Sequence, residues 1–159
     1  MIENSAVVSL IQAMLAPGIM ISACGLLLLG MNNKYSLVVN RIRLLDDEKR
    51  KLNVVRLESV LKSYELIRMQ SIIVQLDKLA FRVKLIRNAV LAYTIAVGFF
   101  IASCLTIGLQ YIFSENTLFY VALALFLCGM VSVFIGVIVA AGETYRGYEI
   151  VKIELKEEY

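Results

Sequence analysis

The chain has 159 residues, 60% of them hydrophobic, a formal net charge of +3, and neither histidine nor tryptophan. A soluble domain is about 45–50% apolar, and without histidine the commonest general base and metal ligand is missing. The composition therefore excludes an ordinary soluble globule and argues against the familiar catalytic and metal-centred classes, so no enzyme activity and no cofactor are expected.

No charged residue lies between Glu3 and Lys34, between Arg87 and Glu115, or between Glu115 and Glu143. Each gap exceeds the about 20 apolar residues that cross a hydrocarbon core of about 30 Å. The expected fold is an all-α integral membrane protein forming one membrane domain, with spans at 6–31, 88–113 and 118–142. A cytoplasmic helical segment fills 34–87 and a cytoplasmic tail fills 143–159.

Pro17-Gly18 interrupts span one. Proline removes a backbone donor and clashes with the preceding turn, which predicts a kink. The alternative is a short interfacial helix before Pro17, with the crossing starting there. Ser22-Ala23-Cys24 after Ile21 has the look of a lipoprotein processing site. However, the segment before it carries Glu3 and no Lys or Arg, whereas a signal peptide begins with a positive region. Cys24, Cys104 and Cys128 fall one in each span and read as free packing thiols rather than a disulfide framework.

From Met31 to Val97 there are 67 residues without glycine or proline, which predicts long helices rather than a loop. Val38, Ile42 and Leu45 continue from span one at helical spacing. Met69, Ile72, Leu76, Leu79, Val83, Ile86 and Val90 form a 3-4 seam running into span two, the pattern of a coiled coil and a surface for self-association. The two helices are expected to turn back on each other between Asp46 and about Ser63, with Asn53 and Ser59 as turn candidates. Residues 34–87 hold 13 Lys/Arg against 6 Asp/Glu, and the break at 114–117 holds no Lys or Arg. The positive-inside rule then places the N-terminus outside and the C-terminus in the cytoplasm of a plasma-membrane protein. Tyr111, Phe113, Phe119 and Tyr120 flank the outer turn as an interfacial aromatic belt. The tail fits a helix face (Tyr148, Val151, Leu155) or an alternating strand (Val151, Ile153, Leu155).

Proton-coupled carriers usually keep ionisable residues within their spans, and these spans have none. The candidate polar face is Ser103, Thr106 and Gln110 at 3-4 spacing, with Gln12 of span one as a partner for Gln110. It reads either as an oligomeric pore lining that ions could use or as interhelical hydrogen bonding, worth about 0.6–2 kcal/mol per contact. Ser132-Gly136-Ala140, Gly18-Ser22 and Gly98-Ala102 are small-residue ridges suited to close helix approach within a subunit or in a homo-oligomer. Lys34, Arg41 and Arg43 beside span one and Arg82, Lys84 and Arg87 beside span two suit anionic lipid headgroups, at about 1 kcal/mol each. Because this basic charge is interleaved with Asp46, Asp47, Glu48, Glu58, Glu65 and Asp77, a nucleic-acid partner is not expected.

Asn32-Asn33-Lys34-Tyr35-Ser36, followed by Val39-Asn40-Arg41-Ile42-Arg43 and preceded by Ile21-Ser22-Ala23, resembles a prokaryotic family of small three-span membrane proteins catalogued as a domain of unknown function. The residues that carry the likeness are Asn32, Asn33, Tyr35, Arg41 and Arg43, and Asn40 stands where an acidic residue would be expected. The resemblance implies three spans and a cytoplasmic helical segment, and no activity. In layout alone the chain also resembles minimal membrane insertases, and layout does not establish function.

Overall fold

A computed structural model describes the backbone of residues 2–58, 63–113 and 116–157 and the side chains of 7–54, 65–113 and 117–147. Among the described residues the chain is entirely helical: α1 is Ile2–Glu58, α2 is Ser63–Phe113 and α3 is Asn116–Glu157. All three helices are long and apolar enough to cross a membrane. At 57 residues, α1 is nearly three times as long as the about 20 that a crossing takes.

Three open points of the sequence are closed by these elements. Pro17 lies inside α1, so there is no separate helix before it; its ring is fully buried. Asn53 is helical and is not a turn residue: α1 continues through the charge run 46–48 to Glu58. Ser59 lies outside the described residues. The tail is helix, not strand, because α3 runs on through Gly142 and Gly147 to Glu157.

The chain forms two compact units. The first comprises 1–31 and 88–138, the second 32–87 and 139–159. In the first unit the fully buried positions are mostly small or aromatic, and many large aliphatic side chains face outward. Cys24, Ala96 and Phe100 form the fully buried core, with Met20, Ile21, Val97, Phe126 and Val133 packed on it. The Phe100 and Phe126 rings meet at 5.5 Å between centroids. Leu26 is 72% exposed and Phe134 66%, as suits helices whose outer surface meets lipid. Buried positions recur every seven residues: Tyr93 and Phe100, together with Ala89, Ala96 and Ser103, on α2, and Ala122, Gly129 and Gly136 on α3. Bulk on α2 faces absence on α3. A Cβ built on Gly129 would lie 2.7 Å from Phe100 Cε1, and one on Gly136 would lie 2.6 Å from Tyr93 Cε1.

The second unit repeats the seven-residue spacing with aliphatic residues. Val38 and Leu45 are buried on α1, and Ile72, Leu79 and Ile86 on α2. The alternate seam positions Met69, Leu76 and Val83 are half-buried. The predicted seam therefore faces the other helices of its own chain. Arg68 reaches Glu48 with two hydrogen bonds, 2.8 Å from Nε to Oε1 and 3.1 Å from Nη2 to Oε2. The hydrogen bond from Arg68 holds the Glu48 carboxyl below the ordinary carboxylate range.

The glycine contacts generate a graded prediction. Gly129→Ala and Gly136→Ala place a methyl well inside van der Waals contact with an aromatic ring and should each destabilise the protein by about 1–3 kcal/mol, the usual cost of overpacking. A Cβ at Gly98 meets nothing within 4 Å, so Gly98→Ala should leave stability unchanged or slightly higher. Thermal unfolding of the three variants in one mild detergent separates these outcomes.

Candidate functional site

The predicted polar face does not act as one unit. Ser103 is almost fully buried and its Oγ donates to the Ala122 carbonyl at 2.9 Å, joining α2 to α3. Ser132 does the reverse, its Oγ donating to the Ala92 carbonyl at 2.8 Å. Thr106 turns back on its own helix, to the Ala102 carbonyl at 2.8 Å. Gln110 lines a cleft between α1 and the α2–α3 hairpin. The expected pairing with Gln12 is not formed. Gln12 is exposed and is not among the residues that line the cleft, whereas Ser9, Ala13 and Ala16 of the same helix are.

Two recesses lie along this cleft, of about 210 Å³ and about 710 Å³, and Ala13, Ile107, Gln110 and Phe119 line both. The smaller is otherwise apolar, lined by Pro17, Ala122 and Phe126, with Ser103 beside them.

A second arrangement, which no local sequence pattern announces, lies in the second unit. Lys34 of α1 and Arg82 of α2 converge on Glu143 of α3. Arg82 donates from Nε at 3.1 Å and Nη2 at 2.6 Å to Glu143 Oε1. Lys34 Nζ donates to Glu143 Oε2 at 3.1 Å and to Thr144 Oγ1 at 2.9 Å. The Glu143 side chain is 1% exposed, against 22% for Arg82 and 43% for Lys34. One carboxylate thus uses a different oxygen for a cation from each of the other helices. Charge-assisted bonds of this kind are the strong ones, and they are what makes an ionised carboxylate tolerable away from water.

Sequence on α3 builds this site. Glu143 falls seven residues after Gly136, at the recurrence that buries Ala122, Gly129 and Gly136, where an apolar residue would be expected. One turn further on, Gly147 leaves room for the guanidinium: a Cβ there would lie 3.0 Å from Arg82 Nη2. Arg146, the residue before it, stacks its guanidinium over Phe81 at 4.7 Å from the ring centroid. Lys34 and Arg82, expected at lipid headgroups, are thus engaged with Glu143. Lys84 and Arg87 are exposed, as are Asn32, Asn33, Tyr35, Arg41 and Arg43 of the asparagine-tyrosine-arginine motif. Cys24, Cys104 and Cys128 are free thiols. Among the described residues no three His, Cys, Asp or Glu side chains gather as a metal site would require.

The fold and these contacts define an integral membrane protein of three long helices, joined by hydroxyl bonds in the charge-free unit and by a charge triad in the other. Residues 14–153 match the family model described as Protein of unknown function (DUF2721), and the chain belongs to that family. No curated protein and no solved structure matches it.

The triad's asymmetry of burial predicts an order of effects. Removing one partner of a buried pair costs about 3–5 kcal/mol because it strands the other charge. Arg82→Met strands the buried Glu143 with one remaining cation and should approach the lower end of that range. Lys34→Met removes a partner that is itself largely in water and should cost about 1 kcal/mol, as exposed pairs do. Thermal unfolding in detergent should rank Arg82→Met well below Lys34→Met; equal midpoints would mean that water reaches the carboxylate.

Proposed function

We propose that this is a non-enzymatic integral membrane protein that self-associates and acts as a membrane scaffold, presenting its helical basic segment to the cytoplasm. The observation that carries this reading is a small-residue face of α1 with no use inside the chain. Gly129 and Gly136 are filled by aromatic rings, whereas a Cβ on Gly18 or Gly25 meets nothing within 4 Å and Ser22 between them is exposed. In lipid, where burying apolar surface drives nothing, close backbone approach at small residues is a principal source of helix association. Self-association would thus use the α1 face. The seam at 69–90 is engaged within the chain, which weighs against the coiled-coil contact between copies that its spacing suggests.

The basic balance of 34–87 supports N-out, C-in placement in the plasma membrane, and exposed Lys84 and Arg87 suit anionic headgroups. A channel is the sharper form of the same proposal. It has less support, because Ser103 and Thr106 are bonded to backbone carbonyls, which leaves Gln110 as the one residue of that stripe lining the cleft without such a bond. The insertase-like alternative calls for a hydrophilic groove open to the cytoplasm, and the cleft here lies toward the α2–α3 turn.

Native mass spectrometry in mild detergent should show an oligomer. Gly18→Ile with Gly25→Ile should convert it to monomer without lowering the unfolding midpoint, since neither side chain meets the rest of the chain. A strictly monomeric wild type sinks the proposal. Ion flux through liposomes that Gln110→Leu abolishes would turn the scaffold into a pore.

A further inference from the structure

Beyond its hydrocarbon crossing, α1 carries two seams at heptad spacing, and packing within the chain uses one of them. That one is Val38 and Leu45, both buried, with half-buried Ile42. The other lies about 100° round the helix: Asn33, Leu37, Asn40, Leu44, Asp47 and Lys51, in steps of 4-3-4-3-4, with Val54 three residues further on. Every one of these residues is exposed, Leu37 at 70% and Leu44 at 64%. The run from 33 to 54 is about three heptads, the length at which such a pattern marks a coiled coil. Leu44 stands ten residues, about 15 Å, past Lys34, among the charged residues 41, 43, 46 and 47. An outward leucine facing lipid loses nothing. Two leucines and a valine recurring along one line in water are apolar surface that a partner helix would cover.

Chemistry along the seam selects that partner. Asn33 and Asn40 alternate with the leucines, and a carboxamide both donates and accepts, so it can pair with its own image. Asparagine within an apolar seam fixes register in parallel coiled coils. A bilayer holds all copies at one depth and in one direction, which presents each residue of α1 to the same residue of a neighbouring α1. Charge agrees: Asp47 lies one turn from Arg43 on one side and from Lys51 on the other, and all three are exposed. In a parallel pair each Asp47 carboxylate therefore has cations of the other copy within a turn. From Asn33 to Leu44 the seam itself holds no cation for an anionic headgroup. Ser22, of the small-residue face, and Asn40 are 18 residues or about five turns apart, on the same side of this one continuous helix. We infer that a second copy of this chain covers the seam, the two α1 helices pairing in parallel and in register beyond the membrane boundary, leucine against leucine and asparagine against asparagine. This rests on the self-association proposed above and adds to it a contact at 33–54, apart from Gly18 and Gly25 and driven by water rather than lipid.

The test is disulfide trapping of the full chain in isolated membranes, in a background of Cys104→Ala and Cys128→Ala that keeps the buried Cys24. Leu37→Cys and Leu44→Cys lie on the seam. Tyr35→Cys and Asp46→Cys are also at exposed positions but on the other side of α1, about 160–180° away. Mild oxidation should form covalent dimers several-fold faster at the two seam positions than at the other two. Leu37→Asp with Leu44→Asp should weaken self-association at least ten-fold in native mass spectrometry, and circular dichroism should be unchanged because both positions are exposed. Equal trapping at all four positions, an oligomer indifferent to the two aspartates, or crosslinks from Leu37→Cys to a different protein alone would each overturn the inference. A monomeric wild type would remove it together with the self-association reading. An oligomer that Gly18→Ile with Gly25→Ile dissolves and the aspartates leave intact would remove it alone. An oligomer that only the aspartates dissolve would uphold it and remove the glycine contact instead.

Discussion

The Glu143 carboxylate is the constraint on which the charged half of this protein turns. It sits at a position that the spacing of α3 makes interior, and it is almost wholly out of water. An unpaired charge there would cost several kcal/mol, so the unit depends on the cations that meet it, on the more deeply placed Arg82 above all and on Lys34 to a lesser degree. That requirement fixes the rotation of α3 about its axis and the level at which α1 and α2 meet it. A slip of α3 by one turn would put Val139 or Gly147 before the two cations and leave the carboxylate stranded. Apolar packing alone is forgiving of such slips, because one aliphatic residue resembles the next. A single ionic contact among Val38, Leu45, Ile72, Leu79 and Ile86 is not, and polar groups of this sort specify register in helical assemblies.

The charge-free unit meets the same need by different physics. It has no ion to place, so alignment comes from volume and from hydroxyls. Tyr93 and Phe100 occupy the space left by Gly136 and Gly129, and Ser103 and Ser132 each bond a carbonyl of the opposite helix. Such bonds are individually modest in a membrane. With the aromatic contacts they hold α2 against α3 without placing a charge in lipid. The polar residues that a sequence reader would assign to a water-filled path are in large part consumed by this task, which leaves Gln110 as the exception.

Much of the architecture could be read in advance because it rests on local properties. Charge-free runs report crossings directly, and a stretch of 67 residues without glycine or proline reports helix directly. Gly136 was legible as a small residue in a ridge, but its partner Tyr93 was not, because one sequence does not state the register of two antiparallel helices. In the sequence Glu143 marks only the end of a charge gap. Its burial follows from a recurrence, Ala122, Gly129, Gly136, that passes through glycines and so carries little hydrophobic signal. Lys34 and Arg82 looked like other boundary cations for the same reason: nothing local distinguishes a lysine at lipid from a lysine facing a carboxylate more than a hundred residues away.

The aromatic-into-glycine contacts carry a consequence for how this sequence can change over time. Phe100 and Gly129, like Tyr93 and Gly136, are complementary across two helices, so neither member of a pair can drift alone: any side chain gained at the glycine overlaps the ring, and a smaller residue at the aromatic opens a void. The pairs should therefore vary jointly among descendants of this chain, as large with small or as two residues of middling size. The glycines at 18, 25 and 98, where an added Cβ would meet nothing within 4 Å, are under no such tie.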